Sequence, residues 1–482
     1  MRHRTLVKQL SVVVCAVALT PLLLERVMAK SMYDDAESVS TISPSQLGTN
    51  LPGGPMGVSA PIPPQRVVPG TLDLTRAVQM VVAWHPAIAE SIGKLYQQQQ
   101  NVTIARSGYY PQISGGLRSG YDSGLNGNGE SQAFTLSMSQ MLYDFGKVSS
   151  TVDSALARVN GSQAAVLLAV DQVTRETSFS VIELQRAQTL QRLAREQVDG
   201  LAAIADLAQK RSDMGASTRS DLIQARSRVE AAMATQLQFT AQLNRWRGAL
   251  SSLLGSQAPV SVTPGFPDSL EHSCQGVVPD EAVTPSLLIA QAQQVDAVAQ
   301  IANARAEALP TLSLDPELTQ YLDSNDNNVQ NGRDRTRYGV FLNVKMPIYQ
   351  GGAINARKAS AEQALRTAQY ANDAARLSVR QGLLEARDQI SSLTQRLSTL
   401  DFRERSISET RDLYRQQYLE LGTRPLLDLL NAEQEIHQAR MDRENTASDL
   451  RRLKIDCLYN TGGLRTAFHL DNSSIQGVEI RP

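Results

Sequence analysis

The stretch Met346–Lys358, MPIYQGGAINARK, decides how this chain folds. Just before it, Tyr338–Met346 alternates apolar and polar residues with a period of two, which predicts a β-strand. After its two glycines a long, aromatic-poor sequence begins that has the composition of a helix. A shorter version, MLYDFGKV at Met141–Val148, shows the same change from strand to helix. The chain therefore contains two strand-to-helix junctions.

These junctions belong to an internal repeat. Tyr143 and Tyr349 lie 206 positions apart (349 − 143), and the downstream glycines Gly215 and Gly422 lie 207 apart (422 − 215). Each copy predicts a helix, a strand, a loop, a second strand, a long helix, a turn and a second long helix. One duplicated unit therefore explains the length better than several separate domains do.

The predicted domain organisation follows from this repeat. A basic start, an apolar core and a small-residue cleavage site predict a secretory signal at residues 1–29, and an extension rich in Pro, Gly and Ser follows at 30–70. The other predicted regions are a first repeat at 71–258, a connector at 259–279, a second repeat at 280–465 and a tail at 466–482. The predicted strands span about 110–121, 133–143, 310–321 and 338–347, and the predicted long helices span 146–214, 217–254, 352–421 and 425–459.

The predicted strands have the length that crosses a bilayer. Each is roughly ten residues, as in a tilted strand of a membrane barrel. One chain supplies only four strands, and open sheet edges are not tolerated in lipid, so insertion requires several identical chains. A soluble sheet with solvent-facing loops fits the same pattern. Beyond the signal, the sequence has no apolar segment long enough for a transmembrane helix.

The two longest predicted helices exceed the size of a globular domain and are too polar to lie in lipid. Gly146 to Gly215 spans 69 residues (215 − 146) and Gly352 to Gly422 spans 70 (422 − 352), so each helix extends about 100 Å. Alanine recurs along both helices, which permits close helix packing. An elongated coiled-coil rod is therefore an alternative to a duct.

Each returning helix carries an acidic residue near its start. Asp221 and Asp428 stand six residues after Gly215 and Gly422 (221 − 215; 428 − 422). A carboxylate at the beginning of a helix interacts favourably with the helix dipole. This helix-dipole role requires no special function. The residues alone therefore leave open both a purely structural role and a functional one.

The sequence has no arrangement typical of an enzyme. Its five histidines are scattered without metal-ligand spacing, and there is no GxSxG elbow and no P-loop. We therefore expect no catalysis, no cofactor and no bound metal, with His437 on a solvated helix face. The net charge of −1, with acids and bases intermixed, disfavours nucleic-acid binding. Cys274 follows the first returning helix and Cys457 stands at the end of the second, so the two are candidates for a disulfide in an oxidising compartment.

The duplicated unit, IYQGG at Ile348–Gly352 and GTRPLLD at Gly422–Asp428 resemble the TolC family of outer-membrane factors. The resemblance covers about residues 70–465. WHPAIAESIGKLYQQQ at Trp84–Gln99 is further similar to the LapE-like branch, which serves type I secretion of large adhesins. This resemblance implies a mostly α fold with a membrane β-barrel. Three chains would form one twelve-stranded barrel standing on a long α-helical barrel.

The resemblance also implies a function. The protein would be a passive, gated exit duct in the outer membrane of a Gram-negative bacterium, with a long periplasmic extension. Its partners would be outer-membrane lipid, two further copies of the chain, a periplasmic adaptor and an inner-membrane ABC transporter that exports protein. The alternative is an RND-type pump that exports drugs or metals.

The helical turns would carry the functional residues of such a duct. Acidic groups would narrow the entrance, an arginine network would hold it shut, and the adaptor would dock on the turns. The family's second acid is replaced here by Asn431, and its gate tyrosine stands one residue off register as Tyr418. The implied gate residues are Asp221, Asp428, Asn431, Arg424 and Tyr418, and the implied docking residues are Gly215, Ala216, Leu421, Gly422 and Thr423.

Overall fold

The computed structural model describes residues 68–122, 129–272, 274, 284–322 and 336–480. The predicted signal and nearly all of the predicted extension lie outside these residues. The first repeat contains β1 (Thr71–Leu72), α1 (Leu74–Val82), α2 (Pro86–Arg106), a 3₁₀ turn (Ser107–Tyr109), β2 (Gln112–Asp122), β3 (Gly129–Tyr143), α3 (Lys147–Asp213) and α4 (Arg219–Leu254). The connector contains β4 (Ser261–Val262) and α5 (Asp268–Glu271).

The second repeat has the same element order, so the predicted fold class, mostly helical and duplicated, is confirmed. It contains α6 (Pro285–Ala306), β5 (Thr311–Tyr321), β6 (Thr336–Lys345), α7 (Ala353–Gln416), a π-helix (Gln417–Leu421) that continues α7, and α8 (Leu426–Thr461). The chain then forms α9 (Leu464–Ala467), β7 (Ser473–Ile475) and β8 (Val478–Ile480). None of the helices in the described part of the chain combines the length and the apolar character needed to cross a membrane.

The four long strands form one antiparallel sheet in the order β2-β3-β5-β6. Because side chains alternate along a strand, the register sorts them into two faces. The polar face is linked by side-chain hydrogen bonds, such as Ser114 to Ser137 at 2.7 Å and Ser139 to Asp315 at 2.6 Å. The other face is mostly apolar, with Gln140 and Gln320 as polar members. Its apolar residues come from all four strands: Ile113, Leu117, Phe134, Leu136, Met138, Leu312, Leu314, Leu318, Tyr338, Val340, Leu342 and Val344.

Phe341 is the one interruption that the alternating pattern of β6 shows on the polar face. It lies opposite Asp315 in the register of β5 and β6. Its ring lies over Gly339, where a Cβ atom would approach ring carbons to 2.8 Å. The missing side chain of Gly339 therefore provides the space that this phenylalanine occupies.

The change from strand to helix depends on glycines with positive φ. Gly146 takes φ = 95° before α3, and Gly352 takes φ = 86° before α7. At the first junction the Asp144 carboxylate accepts hydrogen bonds from the backbone N–H groups of Gly146 (2.9 Å) and Val148 (2.6 Å). These bonds satisfy donors that a helix start leaves without partners.

The largest apolar cluster lies where the short elements surround the middle of α3. It includes residues of α1, α2, α4, β4, α8 and α9 and of the final hairpin. Within this region Arg465 pairs with Asp171, both almost fully buried. Burial raises the pKa of Asp171 to about 7 although the arginine acts in the opposite direction. The pair holds α9 against α3.

The C-terminal segment, predicted only as a tail, folds as the hairpin β7–β8. Ile475 and Ile480 are buried in the main apolar cluster. The Gln476 side chain donates to the backbone carbonyls of Val82 (3.3 Å) and His85 (3.2 Å). The hairpin thus covers the junction between α1 and α2. Its strands have three residues each, which is too short for a periodic signal in the sequence.

Gly255 provides a test of this packing. It ends α4 with φ = 66°, and a Cβ atom there would lie 2.9 Å from the ring of Trp84. We expect Gly255→Ala to lower the free energy of unfolding by about 1–3 kcal/mol, because it adds both backbone strain and a clash. Thermal unfolding of the detergent-solubilised protein measures the change.

Gly93 is the matched control. It lies within α2, and no heavy atom lies within 4 Å of its Cβ position. Gly93→Ala should therefore raise stability by about 0.5–1 kcal/mol, since alanine favours a helix. Equal melting temperatures for the two variants would contradict the packing described for Gly255.

Candidate functional site

The two helical turns share one construction. α3 ends at Asp213 and Gly215 takes φ = 74°, while the π-helix ends at Leu421 and Gly422 takes φ = 64°. Glycine adopts these left-handed conformations at low steric cost. No heavy atom lies within 4 Å of the Cβ position of either glycine. The turns therefore require glycine for their backbone geometry, and the space beside them is open.

Asp221 is the third residue of α4 and forms a capping box with the N-cap residue Thr218. Its backbone N–H donates to the Thr218 hydroxyl (3.2 Å), while its carboxylate accepts from the Thr218 backbone (3.2 Å) and from the Ser217 hydroxyl (2.9 Å). Hydrogen bonding to Thr218 holds the pKa of Asp221 below its usual value. The structure thus gives Asp221 the helix-start role that the sequence allowed. Its place in an acidic ring stays a prediction.

Arg424 and Asp428, both predicted gate residues, lie together at the second turn. Arg424 Nη1 is 3.1 Å from Asp428 Oδ2, and Arg424 Nε donates to Gln417 Oε1 at 2.9 Å. The guanidinium also stacks on Tyr414, 4.5 Å from the ring centroid. All four residues belong to the hairpin of α7, the π-helix and α8. These contacts therefore fix Arg424 within one hairpin.

Tyr418 lies inside the tip, with 5% of its surface exposed. Burial raises the pKa of its hydroxyl. Its backbone carbonyl accepts a hydrogen bond from Arg211 Nη1 at 2.8 Å, and the Arg211 guanidinium lies 4.7 Å from the ring centroid. The motif comparison missed Arg211. The internal repeat could have indicated Arg211. It stands four residues before Gly215 (215 − 211), and Tyr418 stands four residues before Gly422 (422 − 418).

Asn431 contacts the other hairpin. Arg228 of α4 places Nη2 3.4 Å from Asn431 Oδ1 and donates from Nη1 to Gln434 Oε1 at 2.6 Å. An amide therefore accepts from an arginine at the position where the family pattern has an acid. Arg228 is a second residue that the motifs did not indicate.

The predicted docking residues lie at the exposed ends of the hairpins. Leu421 exposes 66% of its surface, and Met214 beside Gly215 exposes 74%. Exposed apolar side chains that are grouped together are typical of a protein-binding surface. Docking itself stays a prediction. The five residues, all exposed, are Gly215, Ala216, Leu421, Gly422 and Thr423.

An apolar cluster behind the tips joins the two hairpins. It draws residues from α3, α4, the π-helix and α8, so movement of one hairpin must disturb the other. Its buried members are Leu201, Ile204, Ala208, Ala225, Val229, Ala232, Tyr418, Leu426, Leu429 and Leu430.

The prediction that His437 lies on a solvated helix face is wrong. Only 3% of this residue is exposed, and its Nε2 lies 3.2 Å from Glu433 Oε1. Burial raises the pKa of Glu433, but the hydrogen bond with His437 and the nearby cationic groups, including Arg411 and Arg415, together outweigh it, so the pKa lies below its usual value. The Glu433 carboxylate occupies the space above Gly200 of α3. Among the described residues, no group of three or more His, Cys, Asp and Glu is placed to hold a metal.

Cys274 and Cys457 are joined by a disulfide bond in the structure, with their Cα atoms 6.0 Å apart. Lys454, one turn before Cys457, pairs with Glu271 of the connector and lies 5.9 Å from the Phe266 ring centroid. The connector is thus held on α8 by a covalent bond, an ion pair and a cation–π contact. Oxidation of the pair in the cell stays a prediction.

The fold is shared with solved outer-membrane proteins. The solved structure of VceC from Vibrio cholerae, an outer membrane protein, matches with a TM-score of 0.70 and 16% identity, over 81% of this chain and 96% of VceC. At this identity the likeness shows the fold alone. The sequence profile described as "outer membrane efflux protein" matches residues 77–256 and 281–453. The chain therefore belongs to the outer membrane efflux protein family, a family of export channels rather than enzymes, and its location is the outer membrane.

Several named proteins are similar to this chain. Protein CyaE of Bordetella pertussis is 25% identical over 66% of this chain and 69% of its own length. Outer membrane protein TolC of Vibrio cholerae is 25% identical over 72% of this chain and 81% of its own length. Alkaline protease secretion protein AprF of Pseudomonas aeruginosa is 23% identical over 72% of each chain. The finer resemblance to the LapE-like branch stays a prediction.

The disulfide gives a direct prediction. Changing Cys457 to alanine should remove a mobility difference between oxidised and reduced protein on a denaturing gel. It should also destabilise the protein by about 2–5 kcal/mol, because the bond closes a loop with a sequence separation of 183 residues.

The double variant Cys274→Ala with Cys457→Ala is the matched control, since it leaves no free thiol. It should melt like Cys457→Ala. Free thiols at both positions in protein purified without reductant would show that the pair is not oxidised.

Proposed function

We propose that this protein is the outer-membrane exit duct of a type I protein secretion system, gated at its helical tips. One observation supports a duct above all others. A sheet with an exposed apolar face continues directly into polar helices, the longest of 67 residues and about 100 Å. The apolar face fits lipid, while the helices have the length to reach far into the periplasm.

The assembly we propose is a homotrimer. β2 and β6 each pair on one side only, so the sheet of one chain has two open edges. Such edges are not tolerated in lipid, and four strands are too few to close a barrel. Pairing β2 of one copy with β6 of the next would close a twelve-stranded barrel from three chains, with its apolar face outward.

The gate we propose lies at the turns. Threefold symmetry would bring three copies of Asp428 to one narrow opening, beside Arg424 at 3.1 Å. A ring of charged side chains at a constriction selects ions by charge. The exposed tip residues, with Met214 and Leu421 projecting from the two turns, would contact a periplasmic adaptor.

The cargo we propose is a protein supplied by an ABC transporter. The similarity to AprF, named for alkaline protease secretion, and the LapE-like stretch Trp84–Gln99 support this choice. The second candidate is the outer-membrane component of an RND-type pump for drugs or metals. The family description as efflux protein favours it.

A deletion strain tests the cargo. We expect the strain to lose one very large surface or secreted protein while its tolerance to toxic small molecules stays unchanged, because the duct would serve protein export. Mass spectrometry of surface and culture proteins, compared with the parent strain, measures this. An unchanged protein profile with drugs or metals accumulating inside the cells would reject protein export in favour of the pump.

The acidic gate gives a second prediction. Asp428→Ala should weaken block of the pore by divalent cations about a hundredfold, because it removes one exposed carboxylate from each of three chains and each contributes about 1 kcal/mol to cation binding. Single-channel recording in planar bilayers measures the block. Asp221→Ala should change the block less, since that carboxylate caps α4.

Glu90→Ala is the control for removing an acidic side chain outside the helical tips. Glu90 is exposed on α2 and pairs with Lys94 of the same helix. It should leave the block at the wild-type value. The same block in Asp428→Ala and in wild type would remove Asp428 from the entrance.

A further inference from the structure

The two repeats differ by one residue just before their tips. The distance from junction glycine to tip glycine is 69 residues in the first repeat (Gly146 to Gly215) and 70 in the second (Gly352 to Gly422). α3 stays α-helical as far as Asp213, whereas the last five residues before Gly422 form a π-helix. A π turn accommodates one extra residue within an α-helix. The additional residue of the second repeat is therefore placed at the tip.

The π-helix presents Tyr418 to Arg211 of the other hairpin. The tyrosine ring is buried under the guanidinium, at 4.7 Å, and the Tyr418 carbonyl accepts from Arg211 Nη1 at 2.8 Å. This carbonyl belongs to the last turn of its helix, where carbonyl groups have no partner within the helix. The negative end of the helix dipole adds to the attraction. Arg211 thus caps the end of the second long helix from the end of the first.

This contact differs from those of Arg424. Arg424 binds Asp428, Gln417 and Tyr414, all in its own hairpin. Arg211 joins two hairpins and is shielded from water on the side of the Tyr418 ring. A contact that joins hairpins must break when they separate, whereas one within a hairpin need not.

We propose that Arg211, together with the π-helix that presents Tyr418, is a clamp that holds the two hairpins of each chain together in the closed duct. Arg211 is a positioning residue for gating, and this inference rests on the proposed duct function. When the duct opens, the contact between Arg211 and Tyr418 breaks, and water hydrates the Arg211 guanidinium and the Tyr418 carbonyl instead. The one extra residue of the second repeat lies at the tip, where it makes the Tyr418 carbonyl and ring available to Arg211.

The test is the resting conductance of purified full-length channels in planar bilayers, with thermal melting of the same preparations. Arg211→Ala should raise the resting conductance about tenfold, the change that loss of one charge-assisted contact produces. Tyr418→Ala should also raise it, because the clamp uses the tyrosine ring. Lys210→Ala is the matched control, since Lys210 pairs with Asp206 on its own helix and is exposed.

Deleting Glu420 tests the π-helix separately. The deletion restores a spacing of 69 residues and should give an open pore like that of Arg211→Ala. Adding Arg211→Ala to the deletion should then change the conductance no further, because both remove one contact. An additive effect would overturn the link between the arginine and the π-helix.

The outcomes separate this inference from the proposed function. A wild-type protein without any pore would reject the duct itself. A wild-type pore with Arg211→Ala equally closed would overturn the clamp alone. A lower melting temperature with unchanged conductance would likewise overturn the clamp, since it would show that Arg211 only stabilises the fold.

Discussion

The exposed apolar face of a sheet with two open edges is the constraint on which the rest of the structure depends. In lipid each unpaired backbone group costs several kcal/mol, so β2 and β6 must find partners. The same edges recur in every copy, which makes a closed ring of copies the simplest solution. The long helices α3 and α7 follow β3 and β6 after three residues (144–146) and seven residues (346–352). Closure of the ring would therefore also restrict how the helices of neighbouring copies meet.

The helices, like the sheet, expose apolar surface that the single chain does not cover. α8 buries 17 of its 36 residues, while α7 buries only 7 of 64. Large apolar side chains stay exposed along α7, with Leu377 and Phe402 each at 66%. α3 and α8 therefore form the interior of one chain, and α4 and α7 keep surfaces that another copy can cover. The exposed apolar surfaces of the sheet and of the helices each fit the proposed trimer.

Much of this architecture could be predicted because its signals are local or repeated. Alternation identified the strands, glycines identified junctions and turns, and the repeat gave the element order. Other features depend on packing that a sequence does not show. Gly200 leaves room for Glu433, which draws His437 into the interior. The sequence predicted which turns carry the site but not which residues contact each other there. Asp428 and Arg424 contact each other, whereas Asp221 caps a helix. Arg211 was absent from the motifs.

Duplication also explains why Arg211 and Tyr418 can bind each other. Each stands four residues before the glycine of its turn, so both lie at the tip ends of the two long helices (215 − 211; 422 − 418). Two arginines there would repel, and two tyrosines would leave the terminal carbonyl without a donor. An arginine and an aromatic ring attract, and the extra residue of the second repeat turns ring and carbonyl towards the arginine.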